Sequence, residues 1–252
     1  MNLSSKILRD KKDGRKNFAV LVDPDKTQAR KCETLAHESQ LAGVDMIFVG
    51  SSLLTNNNLD DCIKILKANC NIPVVLFPGS TMQISVYADA VLLLSLISGR
   101  NAEMLIGKQV IAAPLLKASG LEIISTGYML IDPGHATSVS YMSNTIPIPH
   151  DKNDIAMCTA LAGEQLGLKL IFMDAGSGAR VPIHASMLEA VSKTISVPLI
   201  SGGGIKTPEK ALENCMTGAD LIVVGNSIEK DQRIIAEISD AVHSCISVPK
   251  ES

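Results

Sequence analysis

Short, unbroken apolar runs alternate with longer amphipathic stretches along the whole chain. The runs fall at 18–22 (Phe-Ala-Val-Leu-Val), 45–49, 73–77, 89–95, 121–131, 168–173, 197–200 and 219–224. Continuous rather than alternating apolar residues mark strands covered on both faces, as in a parallel sheet. Helical periodicity falls between them, at 27–41, 58–70, 102–118, 153–166, 184–194, 208–216 and 227–246. Eight strands interleaved with helices predict an α/β fold, a TIM-type (β/α)8 barrel. One crossover breaks the rule. Residues 78–88 are too few for a helix and its two loops, so the third helix of the ring is expected to be missing or stunted. Residues 132–150, rich in Pro and Gly, predict a long loop of the kind used as a lid or binding loop. No linker, repeat or low-complexity tract divides residues 1–252, which are expected to form one barrel domain.

Composition narrows the picture. Apolar residues make up 46% of the chain and Trp is absent, so aliphatic side chains and Met must fill the core. A formal charge of −3 gives no reason to expect a nucleic-acid partner. The most apolar run, 90–97, is too short to span a bilayer. The basic stretch 6–16 lacks the apolar centre of a signal peptide and predicts a solvated first helix. Cysteines 32, 62, 70, 158, 215 and 245 show neither CxxC nor Cys/His spacing. They predict reduced core thiols in a cytoplasmic protein rather than nucleophiles.

The chemistry concentrates where strands end. Strand 7 runs into Ser201-Gly202-Gly203-Gly204-Ile205 before a Thr207-Pro208-Glu209 helix start, and strand 8 into Gly225-Asn226-Ser227-Ile228. Glycine lets backbone N–H groups approach an anion, and a helix start adds unpaired donors. In barrels the loops after strands 7 and 8 are a usual phosphate site. Strand 1 ends in Asp23-Pro24-Asp25-Lys26, where Asp23 can face the site and hold Mg2+ while Asp25 caps the next helix. Strand 2 ends in Gly50-Ser51-Ser52, two hydroxyls on the same rim. Asp174, closing strand 6 before Ala175-Gly176-Ser177-Gly178, is the one carboxylate expected near the phosphate turns and is the candidate base. His135 and His184 have no partner at metal-ligand spacing and are assigned surface or capping roles; His37, His150 and His243 carry no specific signal.

Seven segments in order then carry a resemblance: Asp23-Pro-Asp-Lys26, Pro73 to Ser80, Ser95 to Asn101, Leu105-Ile-Gly107, Asp174 to Ala179, Gly202-Gly-Gly-Ile205 and Val224-Gly-Asn226. The chain resembles the geranylgeranylglyceryl phosphate synthase family over nearly its whole length. The likeness is greatest to the second, partly bacterial group, which includes the heptaprenylglyceryl phosphate synthases. The resemblance implies a modified barrel lacking its third helix and a Mg2+-dependent prenyltransferase that joins a long prenyl diphosphate to sn-glycerol 1-phosphate. It implies a metal site at Asp23 and Ser52. It also implies a glycerol phosphate site at Phe172, Met173, Asp174, Ala175, Gly176, Ser177, Gly178, Gly203, Gly204, Gly225 and Asn226.

The family usually has Tyr-Leu-Glu where this chain has Phe172-Met173-Asp174, a lost phenol and a carboxylate one methylene shorter. A C20 donor is expected, with C35 as the alternative, and its tail is expected in the gap of the helix ring near Tyr87, Val91 and Leu93. A homo-oligomer is expected too. The competing readings are a sugar-phosphate isomerase or cyclase on the same scaffold and a non-catalytic phosphate- or lipid-binding barrel.

Overall fold

The computed structural model describes residues 2–245. Eight parallel strands close into a barrel in sequence order: β1 (Asn17–Val22), β2 (Met46–Val49), β3 (Val74–Leu76), β4 (Ala90–Leu96), β5 (Glu122–Leu130), β6 (Leu170–Asp174), β7 (Leu199–Gly202) and β8 (Leu221–Val224). Closure is made by β1, which pairs with β2 on one side and β8 on the other. Every residue of β2, β3, β6, β7 and β8 is buried, which is why these strands read as unbroken apolar runs.

Around the barrel lie α1 (Leu3–Lys12), α2 (Ala29–Leu41), α3 (Leu59–Asn69), α4 (Lys108–Ser119), α5 (Ser138–Ser143), α6 (Asn153–Gln165), α7 (Ala185–Thr194), α8 (Pro208–Met216), α9 (Asn226–Lys230) and α10 (Ile234–Ser244). Between β3 and β4 there is no helix, as the short crossover predicts. Three elements differ from the sequence expectation. The loop 132–150 contains the one-and-a-half-turn α5, held by a reciprocal cap in which Thr137 accepts from the Ser140 amide and Ser140 from the Thr137 amide. Helix α4 is preceded by a π-helical turn, Glu103–Gly107. The single helix expected over 227–246 is two, because the Asp231 carboxylate takes the Arg233 amide and guanidinium and turns the chain between α9 and α10. Residue 246 lies outside the described residues.

Two layers of apolar side chains follow from strand alternation. Ala19, Phe48, Val75, Leu92, Phe172, Ile200 and Leu221 fill the barrel, whereas Val20, Ile47, Val74, Val91 and Ile222 pack beneath the helices. Helix α1 corrects the expectation of a solvated first helix. It lies across the N-terminal end of the barrel, where Ile7 is 1% exposed and joins the interior cluster. The Glu122 carboxylate accepts from the first two amides of α1, Leu3 at 2.6 Å and Ser4 at 2.8 Å, a favourable anion at a helix start. Lys11 and Lys16 both pair with buried Asp220. Of the cysteines, 32, 62 and 215 are core thiols as expected, but Cys158 is exposed.

Candidate active site

At the C-terminal mouth of the barrel lies a cavity of about 450 Å³. One end is polar, formed by the loops after β1, β2, β6, β7 and β8. The other is apolar, formed by Leu92, Leu94 and Leu96 of β4, by Met104 of the π turn and by Ala112 and Leu116 of α4. Ser95 Oγ donates to Leu105 O at 2.7 Å and Gln109 Nε2 to Leu94 O, so β4, the π turn and α4 form one wall. Val91 and Leu93 line this trench as expected, but Tyr87 does not: it turns outward under the Lys64 ammonium.

The polar end is built on alternation along β6. Phe172 and Asp174 point into the mouth, while Met173, between them, packs outside against Met129, Ile171 and Met187. Ala175 also sits in that outer cluster, and its amide is already bonded to Gly202 O. Met173 and Ala175, expected at the substrate site, therefore present no side chain to it. Gly176, Ser177, Gly178, Gly203, Gly204, Gly225 and Asn226 all line the cavity. Ser177 Oγ donates to Asn226 Oδ1 at 2.9 Å and Ser227 Oγ to Ile205 O at 3.0 Å, tying three glycine loops into one rim. Gly203 has φ +79°, and a Cβ there would stand 2.6 Å from Asp174 Oδ1 and 2.7 Å from the Ala175 and Gly176 amides. Only glycine lets this turn and the Asp174 carboxylate share that space.

Asp174 Oδ1 accepts from the Gly176 amide at 2.7 Å, and Oδ2 from the Tyr128 hydroxyl at 2.5 Å. Burial lifts the Asp174 carboxyl above the ordinary range, outweighing those two hydrogen bonds. Burial, then the charge and hydrogen bond of Asp174, push the Tyr128 phenol well above its usual value. Tyr128 thus stays a donor, and Asp174 is a stronger base than a solvated carboxylate. The sequence reading missed Tyr128 because it sits inside an apolar strand. The closed register sets it opposite Phe172. Phe77, Tyr128 and Phe172 converge there, with Phe77 stacked on Phe172 at 5.2 Å and Tyr128 edge-on to both. Glu229 also lines the cavity, so Asp174 is not the only carboxylate on that side.

Across the mouth, the buried Asp23 carboxylate accepts from Ser51 Oγ at 3.0 Å and the Asp25 amide at 3.1 Å, and pairs with Lys26 at 2.9 Å. Asp25 does not cap α2, whose N-cap is Gln28. It accepts instead from Thr55 and Asn56, joining the loops after β1 and β2, and the Thr55 amide foremost holds its carboxyl below the ordinary range. Ser52, expected to hold the metal with Asp23, lines the same cavity, but the hydroxyl on the Asp23 carboxylate is that of Ser51. Among the described residues no three His, Cys, Asp or Glu side chains gather as a metal cage. One carboxylate with hydroxyls beside it is nonetheless the donor set of Mg2+ sites that substrate phosphates complete, so these residues fit such an ion.

The fold and the mouth together define a (β/α)8 barrel whose glycine-rich rim opens into an aliphatic trench. Residues 9–242 match the model of the PcrB family, and the chain belongs to that family. It is 59% identical over 240 residues to the geranylgeranylglyceryl phosphate synthase of Chitinophaga pinensis, covering 95% of each chain. To the enzyme of that name from Spirosoma linguale it is 54% identical over 237 residues, covering 94% of this chain and 95% of the relative. The crystal structure of (S)-3-O-geranylgeranylglyceryl phosphate synthase from Thermoplasma acidophilum with substrate sn-glycerol-1-phosphate superposes with a TM-score of 0.91. Its sequence identity is 32%, over 97% of this chain and 99% of that one.

Proposed function

We propose that this chain transfers a geranylgeranyl group from its diphosphate to the 3-hydroxyl of sn-glycerol 1-phosphate, forming an ether and releasing diphosphate. One observation carries the reading: a single cavity joins a rim of three glycine loops to an aliphatic trench beside the missing helix. An isomerase acting on a hydrophilic sugar phosphate has no use for that trench. The names of the relatives support the C20 donor over the C35 one.

In this reading the loops at Gly176–Gly178, Gly203–Gly204 and Gly225–Asn226 take the glycerol phosphate, with Lys206 on the same rim adding positive charge. The tail lies along Leu92, Leu94, Met104 and Leu116, which sets its diphosphate towards Asp23, Ser52 and Lys26. Asp23 and Ser52 would hold Mg2+, which when bound would neutralise charge on the leaving diphosphate. The bond from the allylic carbon to the diphosphate oxygen breaks, and its electron pair leaves with diphosphate. The rings of Phe77, Tyr128 and Phe172 face the resulting cation, a favourable contact for positive charge. The glycerol hydroxyl oxygen then forms the ether bond while Asp174 takes its proton. Phe172 lacks the phenol usual at its position, and Tyr128 supplies one to the same carboxylate from the next strand.

A homo-oligomer forms part of this reading. The outward face of the π turn and α4 is apolar, with Ile106, Val110, Ile111 and Leu115 each 59–65% exposed, and faces of this kind are usually covered by a partner. The six unpaired cysteines suit a cytoplasmic setting, and no described helix is long and apolar enough to cross a membrane. The test is extraction of labelled product from incubations with Mg2+, labelled sn-glycerol 1-phosphate and C15, C20 or C35 diphosphates. Organic-phase label greatest with C20 supports the proposal; none with any donor, while glycerol phosphate still binds, overturns it.

A further inference from the structure

The Lys26 ammonium pairs with Asp23, the mouth carboxylate proposed to hold a divalent cation. Backbone bonds from Lys26 and Thr27 to Asp23 O, both 3.1 Å, form a single turn that sets the Lys26 and Asp23 side chains beside one another. The ammonium then sits 2.9 Å from Asp23 Oδ2, the oxygen that also accepts from Ser51, and 3.9 Å from Glu229 Oε1 on the other side. The second oxygen of Asp23 is engaged by the Asp25 amide, and Asp25 itself is turned to Thr55 and Asn56. An ammonium and a divalent cation repel each other strongly at such range in a partly desolvated site. Sharing Oδ2 between them is therefore unfavourable. Lys26 is half exposed whereas Asp23 is nearly buried, so the lysine head is the part free to move. Glu229 offers a second resting place within the same cavity.

We infer that Lys26 is an internal counter-ion that keeps Asp23 closed to divalent cations until a diphosphate draws the ammonium away. The lysine exchanges Asp23 for phosphate oxygens, Glu229 limits how far it swings, and the vacated Oδ2 becomes available to an ion arriving with the same diphosphate. Loading is therefore ordered, with the free protein holding divalent cations weakly. This rests on the proposed metal role of Asp23 but not on turnover, so it can fail while the transferase stands, or hold if the product assay fails.

The experiment uses Mn2+ alone as the probe, followed by the electron paramagnetic resonance signal of the free ion, on the full chain without substrate. Lys26→Met is expected to bind Mn2+ at least tenfold more tightly than the unaltered protein. Lys26→Arg, which keeps the charge, is expected to bind as weakly as the unaltered protein. Adding Asp23→Asn to Lys26→Met is expected to abolish the gain. Mn2+ affinity unchanged or weaker in Lys26→Met overturns the inference, as does a gain that survives Asp23→Asn or appears equally in Lys26→Arg. Lys26 is exposed enough for these variants to fold, which circular dichroism verifies.

Discussion

The bond between Tyr128 and Asp174 is the point at which local chemistry is most constrained. Both side chains are buried, each is held by the other, and Gly203 leaves room for nothing larger beside them. Asp174→Asn keeps the shape and removes the base. Turnover is expected to fall by about 10²–10⁴-fold while glycerol phosphate affinity, measured by calorimetry, stays close to normal; equal losses in both would reduce Asp174 to a positioning residue. Tyr128→Phe tests the partner. The phenol lowers the Asp174 pKa, so without it the carboxylate protonates at higher pH. The acid limb of the kcat/KM profile should move upward in pH. A limb that stays in place, or moves down, would show that another group titrates there.

Helix α4 shows what one element does with two apolar faces. Ala112 and Leu116 look into the trench while Val110, Ile111 and Leu115 look out, so the water-facing side of the helix is largely apolar, with Lys117 its exposed charge. Val110→Glu is expected to leave the barrel folded and convert the assembly to single chains by light scattering; an unchanged mass would mean that the partner face lies elsewhere. Elements of this size differ in how far the sequence exposes them. The strands are legible because two-sided burial leaves few polar residues to interrupt a run, and the absent helix because eleven residues cannot hold a full helix together with both its loops. The break between α9 and α10 is not legible, since Asp231 and Arg233 suit a helix surface until the carboxylate captures the Arg233 amide. Helix α5 hides for the opposite reason: it is short, rich in hydroxyls, and its Thr137 cap is answered by Ser140 instead of the usual Glu or Gln. Among site residues, glycines and acids at strand ends stand out by type. Tyr128 and the outward turn of Met173 emerge only when pleat and register fix which side each residue faces.

For the whole molecule, the two ends of the barrel divide the work. The mouth carries strained glycines and buried acid, whereas the far end carries ion pairs that link distant segments. There His243 of α10 meets Asp45 at 2.9 Å, and Lys6 of α1 pairs with the same carboxylate. The hydrogen bond to Asp45 raises the His243 pKa above 6.5 against the effect of burial. Because the folded value is raised, the stabilisation is fully present below about pH 6.5 and is lost as pH rises through the folded value. The melting temperature of His243→Gln should therefore approach that of the unaltered protein as pH rises and fall furthest behind it in mild acid. A gap independent of pH would mean that packing alone is lost.

The gap in the helix ring leaves Leu93 of β4 only partly covered, a place where an ordinary barrel would bury it beneath its own chain. A hydrocarbon tail seated there becomes, for the lifetime of the complex, a borrowed piece of hydrophobic core. Binding there adds directly to the apparent folding stability of that wall. A non-hydrolysable geranylgeranyl diphosphate analogue should raise the melting temperature well beyond what inorganic diphosphate achieves at equal saturation; equal shifts would place the tail outside the wall. A molecule built in this way consumes part of its own architecture in every cycle and is rebuilt by the next reactant to arrive.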